Sequence, residues 1–358
     1  MITTVIPTFQ RPLLLKRAIE SALAQSFGDI QICVHDNASQ DETESVVRDY
    51  ARLDKRVFYF RNPVNIGPVR NMIQGVNAVE TPYYSLLNDD DFLLPGFYEH
   101  AIGGFNRHPD AWISCAKTMT LNVIDGQFEL RNRDWAAGFY RPSIEILNKM
   151  YSSHFVPTSV LFRRDVRDHL GAFEASGSDS LYLTIASAIL PFVVVDYYGG
   201  AVTLHRQAYS MIGEGINKEG IGVLNEHLLE SLGVVMRAAI DPDLKVNLLM
   251  LVINAYHQIY DSKRLGYLLG NHDEANIGNL FMLPSLITNR GLVAKFYRAV
   301  PDGFKPMVKI LYEKTSLARQ RRQTISNASW MPLPDDIKAG LERSDIDVSK
   351  IASLAGIK

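Results

Sequence analysis

Cysteine is scarce in this sequence, and so is an excess of charge of either sign. The two cysteines, Cys33 and Cys115, show no Cys-x-x-Cys spacing, so the sequence predicts neither a disulfide framework nor a thiolate zinc site. The formal net charge of −2 argues against binding nucleic acid through bulk positive charge, and we expect no nucleic-acid partner. A hydrophobic content of 47% is enough to build full-sized cores, so the chain is predicted to fold.

Long apolar segments are lacking as well. The longest candidate for a membrane span, residues 181–195, is too short and is interrupted by Thr184, Ser187 and Pro191. The first seven residues have neither a basic region nor a long apolar region, so we expect no signal peptide. The scarcity of cysteine fits a reducing cytosol, so we expect a cytoplasmic protein. A length of 358 residues suggests two domains, or one large domain with an appended lobe, and we divide the chain into residues 1–215 and 216–358.

Residues 1–215 alternate short strand-like runs with helical periodicity, a pattern typical of a βαβ sheet. Strands are predicted at residues 3–6, 30–34, 57–60, 83–87 and 193–196. The spacing of residues 39–42 is that of a capping box, which predicts Ser39 as the N-cap of the second helix. Beyond residue 215 the patterns are mostly helical. The predicted fold is therefore an α/β domain, with a mostly parallel sheet flanked by helices, and a C-terminal helical lobe for acceptor, membrane-surface or oligomer contacts.

Three adjacent acids, Asp89, Asp90 and Asp91, follow the fourth predicted strand. They repel one another unless a cation compensates them, and Mg²⁺ or Mn²⁺ binds carboxylate oxygens while keeping waters and substrate phosphates as further ligands. The alternative is a solvated acidic turn. Thr8 and Asp36 also follow predicted strands, and the carboxyl ends of parallel strands form the ligand-binding edge of an open sheet. This convergence favours the metal site.

Four segments carry a further signal: VIPTFQRP at residues 5–12, HDNASQDET at 35–43, NIGPVRN at 65–71 and NDDDFLLP at 88–95. In this order they resemble the motifs of glycosyltransferase family 2, whose members have the GT-A fold and use nucleotide-sugar donors. The resemblance covers residues 1–210 and implies an inverting, metal-dependent, hexosyltransferase-like enzyme. Such an enzyme would transfer a sugar from a nucleoside-diphosphate sugar to a hydroxyl of a glycan or lipid-linked acceptor in bacterial surface polysaccharide synthesis.

The resemblance also implies roles for individual residues. The catalytic base is Asp179, for which an N-cap is the alternative; the Mn²⁺ or Mg²⁺ ligands are Asp90, Asp91 and His205. The nucleotide-binding residues are Pro7, Thr8, Asp36, Arg70 and Asp89. Asn88 and Ser178 stand where many family members carry acids, so which of Asp89 and Asp91 assists Asp90 stays open.

Other functions and partners remain open at this point. A non-catalytic nucleotide-sugar-binding scaffold is suggested by Asn88 and Ser178, while a sugar nucleotidyltransferase is disfavoured because no Gly-rich loop follows the first strand. Residues 121–153 contain Trp135, Phe139 and Tyr140, which either stack on sugars or pack inside. The basic, aromatic residues 290–322 predict contact with the inner face of the cell membrane, with a solvated charged face as the alternative.

Overall fold

The computed structural model describes residues 1–171, 179–205, 221–268, 330–343 and 347–357, without the side chains of residues 179, 180, 221–226 and 257–268. The first part alternates strands and helices: β1 Ile2–Thr8, α1 Pro12–Leu23, β2 Ile30–Asp36, α2 Thr43–Leu53, β3 Val57–Arg61, α3 Pro68–Asn77, β4 Tyr83–Leu86, β5 Phe92–Leu93 and α4 Phe97–Arg107. Each strand and helix predicted in this stretch is present, with ends that differ by a few residues.

The next part contains more strands than the sequence predicts. It consists of β6 Ile113–Asn122, β7 Gln127–Leu130, β8 Gly138–Tyr140, α5 Ile144–Ser152, a 3₁₀ turn Pro157–Ser159, β9 Val160–Arg163, α6 Arg164–Leu170, α7 Asp179–Ile189 and β10 Phe192–Leu204. The last described elements are α8 Ile221–Arg237, α9 Pro242–Leu268, β11 Met331–Pro332, α10 Asp335–Arg343 and α11 Val348–Leu354. No described helix is long and apolar enough to cross a membrane.

The described strands form one mixed sheet in the order β11-β7-β6-β9-β4-β1-β2-β3, and β10 pairs with β6, β5 and β8. Strands β3, β2, β1 and β4 are parallel to one another, so their carboxyl ends lie at one edge. In the register of β1 and β2, Thr8 pairs with Asp36. The acidic run begins three residues after the end of β4. The alternating pattern therefore brings these polar residues to one edge of the sheet.

Helices cover both faces of this sheet. On one face, α1 buries residues at helical spacing against the strands, among them Leu15, Ala18, Ile19 and Ala22. The other face is covered by α3, α5 and α7 and by described parts of α8 and α9, whose Val235 and Leu248 join the same core. Because both faces are covered, ligands can approach the sheet through its edge.

Helix α2 begins at Thr43, and the prediction that Ser39 caps it is wrong. Asp41 accepts hydrogen bonds from the backbone N–H and the hydroxyl of Thr43, at 3.0 and 2.6 Å. Asp41 is two residues before Thr43 and takes the first free amide of the helix, which leaves Ser39 available for another contact. The Ser39 Oγ accepts a hydrogen bond from the backbone N–H of Gln10 at 2.8 Å, and it thereby ties the loop after β1 to the loop after β2.

The C-terminal residues that the structure describes return to the sheet. Strand β11 pairs with β7, and Ile337, Leu341 and Ile351 pack into a core that includes Phe92 and Met119. Since Phe92 directly follows the acidic run, this C-terminal segment supports the strand after the acids. The division of the chain at residue 215 stays a prediction, and residues 290–322 lie outside the described residues.

Candidate active site

Asp89 is held at the end of β1. The Thr8 Oγ1 donates a hydrogen bond to Asp89 Oδ2 at 2.8 Å, and the backbone N–H of Phe9 lies 3.4 Å from the same oxygen. Asp89 and Thr8 are both buried. Burial, together with the negative charge of Asp90, raises the pKa of Asp89 to about 6. The predicted convergence of the ends of β1 and β4 is therefore present at the level of side chains.

Asp90 is surrounded by cationic and imidazole groups. The Arg11 Nη1 lies 3.1 Å from Asp89 Oδ1 and 2.9 Å from Asp90 Oδ2, so one guanidinium bridges the two carboxylates. The His205 Nε2 lies 3.3 Å from Asp90 Oδ2. Burial disfavours a charged Asp90, but the hydrogen bond with His205 and the charge of Arg11 outweigh burial and lower the pKa of Asp90. Asp90 is thus the carboxylate of the run best suited to remain ionised.

Asp91 occupies a different environment. Its Oδ2 accepts from the Thr158 hydroxyl at 2.8 Å and from the Asn88 amide at 3.3 Å, and its Oδ1 accepts from the Thr203 backbone N–H at 3.1 Å. Burial and the neighbouring charge of Asp90 raise the pKa of Asp91 to about 8. Neutral donors thus bind both of its oxygens, and its role as a metal ligand stays a prediction.

A second arginine, Arg17, was not recognised from the sequence. It is buried, its Nη2 donates to the Asp90 backbone carbonyl at 2.6 Å, and its guanidinium lies 5.0 Å from the centre of the Phe92 ring. Burial lowers the pKa of Arg17, although the charges of Asp91 and Asp90 oppose this effect. Helix α1 and its N-cap therefore supply two guanidinium groups to the acidic run.

Asp36 is fully buried at the end of β2. Its Oδ1 accepts from the Ser39 backbone N–H at 2.9 Å, and its Oδ2 accepts from the Tyr59 hydroxyl at 2.6 Å. The Arg61 Nε lies 3.6 Å from the same Oδ2. Burial and the hydrogen bond to Asp36 raise the pKa of Tyr59. These contacts show that Asp36 organises the loop after β2, and its contact with a nucleoside stays a prediction.

A cavity of about 380 Å³ opens beside Asp36. Three loops line it, with Phe9, Gln10, Ala38, Gln40, Arg61, Pro63, Val64 and Asn65. Arg61 was also missed by sequence reasoning; it ends β3, and its Nη2 donates to the Ser39 carbonyl at 3.0 Å. The cavity therefore follows the loops after β1, β2 and β3 at the edge where the acids lie.

The structure places the remaining predicted nucleotide residues near this edge without bringing all of them to the cavity. Pro7 lies within β1, opposite His35 of β2. Arg70 is an exposed residue of the first turn of α3 and does not line the cavity. Its neighbour Asn71 is buried and donates to the His35 carbonyl at 2.8 Å. The role of Arg70 stays a prediction.

The predicted acceptor side is described only in part. Asp179 is the first residue of α7, and its side chain lies outside the described residues. Trp135 is 1% exposed, packs against Phe155 and Phe192, and donates its indole N–H to the Ser153 carbonyl at 2.8 Å. Of the two alternatives for Trp135, stacking on a sugar and packing inside, the structure shows packing, because the ring is enclosed by the core.

The residues around Asp90 can be tested for their fit to a divalent ion. Among the described residues, no group of three or more His, Cys, Asp and Glu side chains could hold a metal. Two ligands about 2.1 Å from one ion and at a near-right angle lie about 3.0 Å apart, and Asp90 Oδ2 and His205 Nε2 are 3.3 Å apart. Their chemistry and spacing fit an ion that takes its other ligands from water and a diphosphate.

A known protein family matches the part of the chain that forms this edge of the sheet. The family model for Glycosyl transferase family 2 matches residues 3–171, which include β1 to β4 and the acidic run. Residues 3–171 belong to glycosyltransferase family 2. The ends of β1, β2, β3 and β4 lie within the matched segment of this family 2 domain, whereas His205, which follows β10, lies outside it.

Curated relatives match a part of this domain. A "GalNAc(5)-diNAcBac-PP-undecaprenol beta-1,3-glucosyltransferase" of Campylobacter jejuni is 38% identical over 96 residues, which are 26% of this chain and 31% of that protein. An uncharacterized glycosyltransferase of Rickettsia typhi is 30% identical over 107 residues, which are 30% of this chain and 32% of that protein. The matched segment thus spans about a third of the length of these relatives.

Solved structures share the fold over a longer range. The structure of S. aureus TarS 1-349 in complex with UDP-GlcNAc has a TM-score of 0.54 and 14% identity, and the match covers 99% of this chain and 92% of that chain. The same fragment in complex with UDP has a TM-score of 0.53 and 15% identity, with 91% and 93% covered. At this identity the likeness shows the fold, which is the GT-A fold.

Proposed function

We propose that this protein is a glycosyltransferase that moves a sugar from a nucleoside-diphosphate sugar to a hydroxyl of a glycan or lipid-linked acceptor, with inversion at the anomeric carbon. One observation carries the proposal. The ends of the parallel strands β1 and β2 and the acidic run after β4 bring Thr8, Asp36 and Asp89 to one edge of a family 2 domain, beside a cavity of about 380 Å³.

In this proposal the cavity takes the nucleoside and the acidic run takes the diphosphate. Arg61 lines the cavity, and its guanidinium can pair with a carbonyl group of a base. The Asp36 carboxylate is fully buried 3.6 Å from the Arg61 Nε, and it would accept from an N–H group of the base in exchange for one of its internal hydrogen bonds. Asp90 and His205 would hold Mn²⁺ or Mg²⁺. When bound, the ion stabilises negative charge on the departing diphosphate.

The acceptor hydroxyl needs a group that takes its proton. Asp179 begins α7, and the resemblance to family 2 motifs gives it the role of general base. A single displacement needs no covalent intermediate and inverts the configuration. Replacing Asp179 with Asn should abolish transfer and leave donor binding nearly unchanged, whereas a variant with full turnover would contradict this role.

The acceptor is proposed from relatives. The name of the Campylobacter protein includes an undecaprenol-linked substrate, which favours a lipid-linked acceptor for this chain and a role in surface polysaccharide synthesis. Peripheral attachment to the inner face of the membrane, through residues 290–322, would place the enzyme beside such an acceptor. The TarS complexes make UDP the first nucleotide to test.

The proposal can be tested by calorimetric binding of UDP, GDP, dTDP and CDP, each with and without Mn²⁺. We expect one nucleotide to bind tightly with the metal, and we expect this binding to be lost in Asp90→Ala. Asp110→Ala removes an exposed acid after α4 and serves as the control that keeps binding. If none of the four nucleotides bound to the wild-type protein, the proposal would be contradicted. If one nucleotide does bind, its release from the corresponding sugar donor would distinguish a transferase from a non-catalytic scaffold.

A further inference from the structure

The Arg11 guanidinium occupies a position at which a cation pairs with the acidic run. Its Nη1 lies within 3.1 Å of carboxylate oxygens of both Asp89 and Asp90. The side chains are shielded from water, with exposures of 18% for Arg11, 7% for Asp89 and 13% for Asp90. Charged hydrogen bonds between shielded groups are stronger than those at the surface. The two adjacent carboxylates are therefore already paired with a positive charge that belongs to the chain.

We propose that Arg11 is a built-in counter-ion that competes with the divalent ion for Asp90, so that the metal binds tightly only together with the donor diphosphate. The inference rests on the donor site proposed above. It adds a positioning role for a residue that the predicted metal and nucleotide sites do not include.

The competition follows from charge. A divalent ion arriving alone must displace the Arg11 guanidinium from Asp90, and the displaced cation would stand next to the new one in a shielded site. A nucleoside diphosphate arriving with the ion brings negative oxygens that can pair with the displaced guanidinium. Each ligand therefore raises the affinity for the other, and this coupling is reciprocal.

The loop that carries Arg11 also lines the cavity. Phe9 and Gln10 contribute to the cavity wall, and Arg11 is the next residue and the N-cap of α1. Gln10 has a positive φ of 55°, which a residue with a side chain adopts at a cost, and its backbone N–H is bound by Ser39. Phe9 and Gln10 thus join the cavity wall directly to Arg11 along the chain, which gives nucleotide and metal a direct route of coupling.

The test is Mn²⁺ binding without nucleotide, measured at pH 8 by the loss of the free-ion paramagnetic resonance signal. We expect Arg11→Gln to bind Mn²⁺ at least about tenfold more tightly than wild type, because a competing charged hydrogen-bond donor is gone. The increase in Mn²⁺ affinity that UDP causes should become correspondingly smaller. Arg56→Gln is the matched control, since Arg56 pairs with Asp54 at a distant surface site, and it should behave like wild type.

Equal or weaker Mn²⁺ binding by Arg11→Gln, with nucleotide binding intact, would overturn the inference and leave the proposed function standing. A wild-type protein that binds no nucleotide with Mn²⁺ would instead contradict the donor site itself. If Arg11→Gln does not fold, Arg11→Lys retains a charge but loses the planar fork. The increase in unfolding temperature caused by Mn²⁺ should then be larger for Arg11→Lys than for wild type. Equal increases for the two proteins would overturn the inference.

Discussion

Acidification should destabilise this protein through His35, which precedes Asp36 on β2. The side chain is 4% exposed, and its ring stacks on Phe60 with the ring centres 4.9 Å apart. Within the described part of the chain, no hydrogen-bond partner reaches its buried Nε2. Burial lowers the pKa of His35 from 6.5 to about 4, because a charged imidazole would lose its hydration there.

The two pKa values determine how the free energy of unfolding changes with pH. Below pH 6.5 the unfolded chain binds a proton at this histidine, whereas the folded protein does not until about pH 4. The stability contributed by neutral His35 is thus fully present above pH 6.5 and is lost as the pH falls toward 4. From pH 6.5 down to pH 5 the unfolded state binds one proton that the folded state does not bind. Over these 1.5 pH units the free energy of unfolding therefore falls by about 2 kcal/mol.

Urea unfolding at pH 8 and pH 5, in the presence of EDTA, measures this loss. His35→Phe keeps an aromatic ring against Phe60 and cannot titrate, so its stability should fall by about 2 kcal/mol less than that of wild type over this range. The raised pKa values of Asp89 and Asp91 act in the opposite direction, since protonation on acidification relieves buried charge. That effect is common to both proteins and cancels in the difference. Identical pH dependence of the two proteins would refute the reasoning.

Two further predictions concern packing and hydrogen bonding. Thr8→Val removes the hydroxyl that donates to buried Asp89 and should cost about 1.5–3 kcal/mol in urea unfolding, whereas Thr8→Ser should cost clearly less; equal losses would show that the hydrogen bond contributes nothing. On α4, a Cβ at Gly103 meets nothing closer than the end of an arginine at 3.3 Å, so Gly103→Ala should gain up to about 1 kcal/mol. A Cβ at Gly104 would lie 2.9 Å from the Ser114 Oγ, so Gly104→Ala should lose about 1–2 kcal/mol despite its better helix propensity, and melting shifts of the same sign would contradict the packing.

The order of strands and helices up to β4 could be predicted from the sequence, because local patterns determine it. Alternation with a period of two and stripes at helical spacing identify β1 to β4 and α1 to α3. The same patterns place Thr8 and Asp36 at strand ends. Since neighbouring parallel strands end at one edge, the grouping of these residues follows without knowledge of any side-chain contact.

Side-chain partners far apart in the chain could not be predicted. Arg17 binds the backbone of Asp90, 73 positions later, and the Thr158 hydroxyl binds Asp91, 67 positions earlier. Nothing in the local pattern around Arg17 distinguishes a buried cation from a residue on the exposed face of an amphipathic helix.

The expectation that Ser39 caps α2 failed because a nearer partner was present, and for Trp135 the structure selects one of two alternatives that the sequence left open. Ser39 has the spacing of a helix cap, but Asp41 lies closer to the first turn of α2 and binds Thr43. Trp135 lies in a segment rich in arginine and aromatic residues, but its ring faces Phe155 inside the core. In both cases the residue type was compatible with two environments, and tertiary contacts decided between them.

The acidic run shows why repulsion between neighbouring carboxylates is weak evidence for a metal. The chain itself compensates each acid: Thr8 and Arg11 bind Asp89, Arg11 also binds Asp90, and neutral donors bind both oxygens of Asp91. His205 is the group that favours an ion, because it is 115 positions away and contributes an imidazole nitrogen 3.3 Å from the Asp90 carboxylate. Simple charge compensation requires no metal-ligating imidazole at that place, because Arg11 already supplies the positive charge.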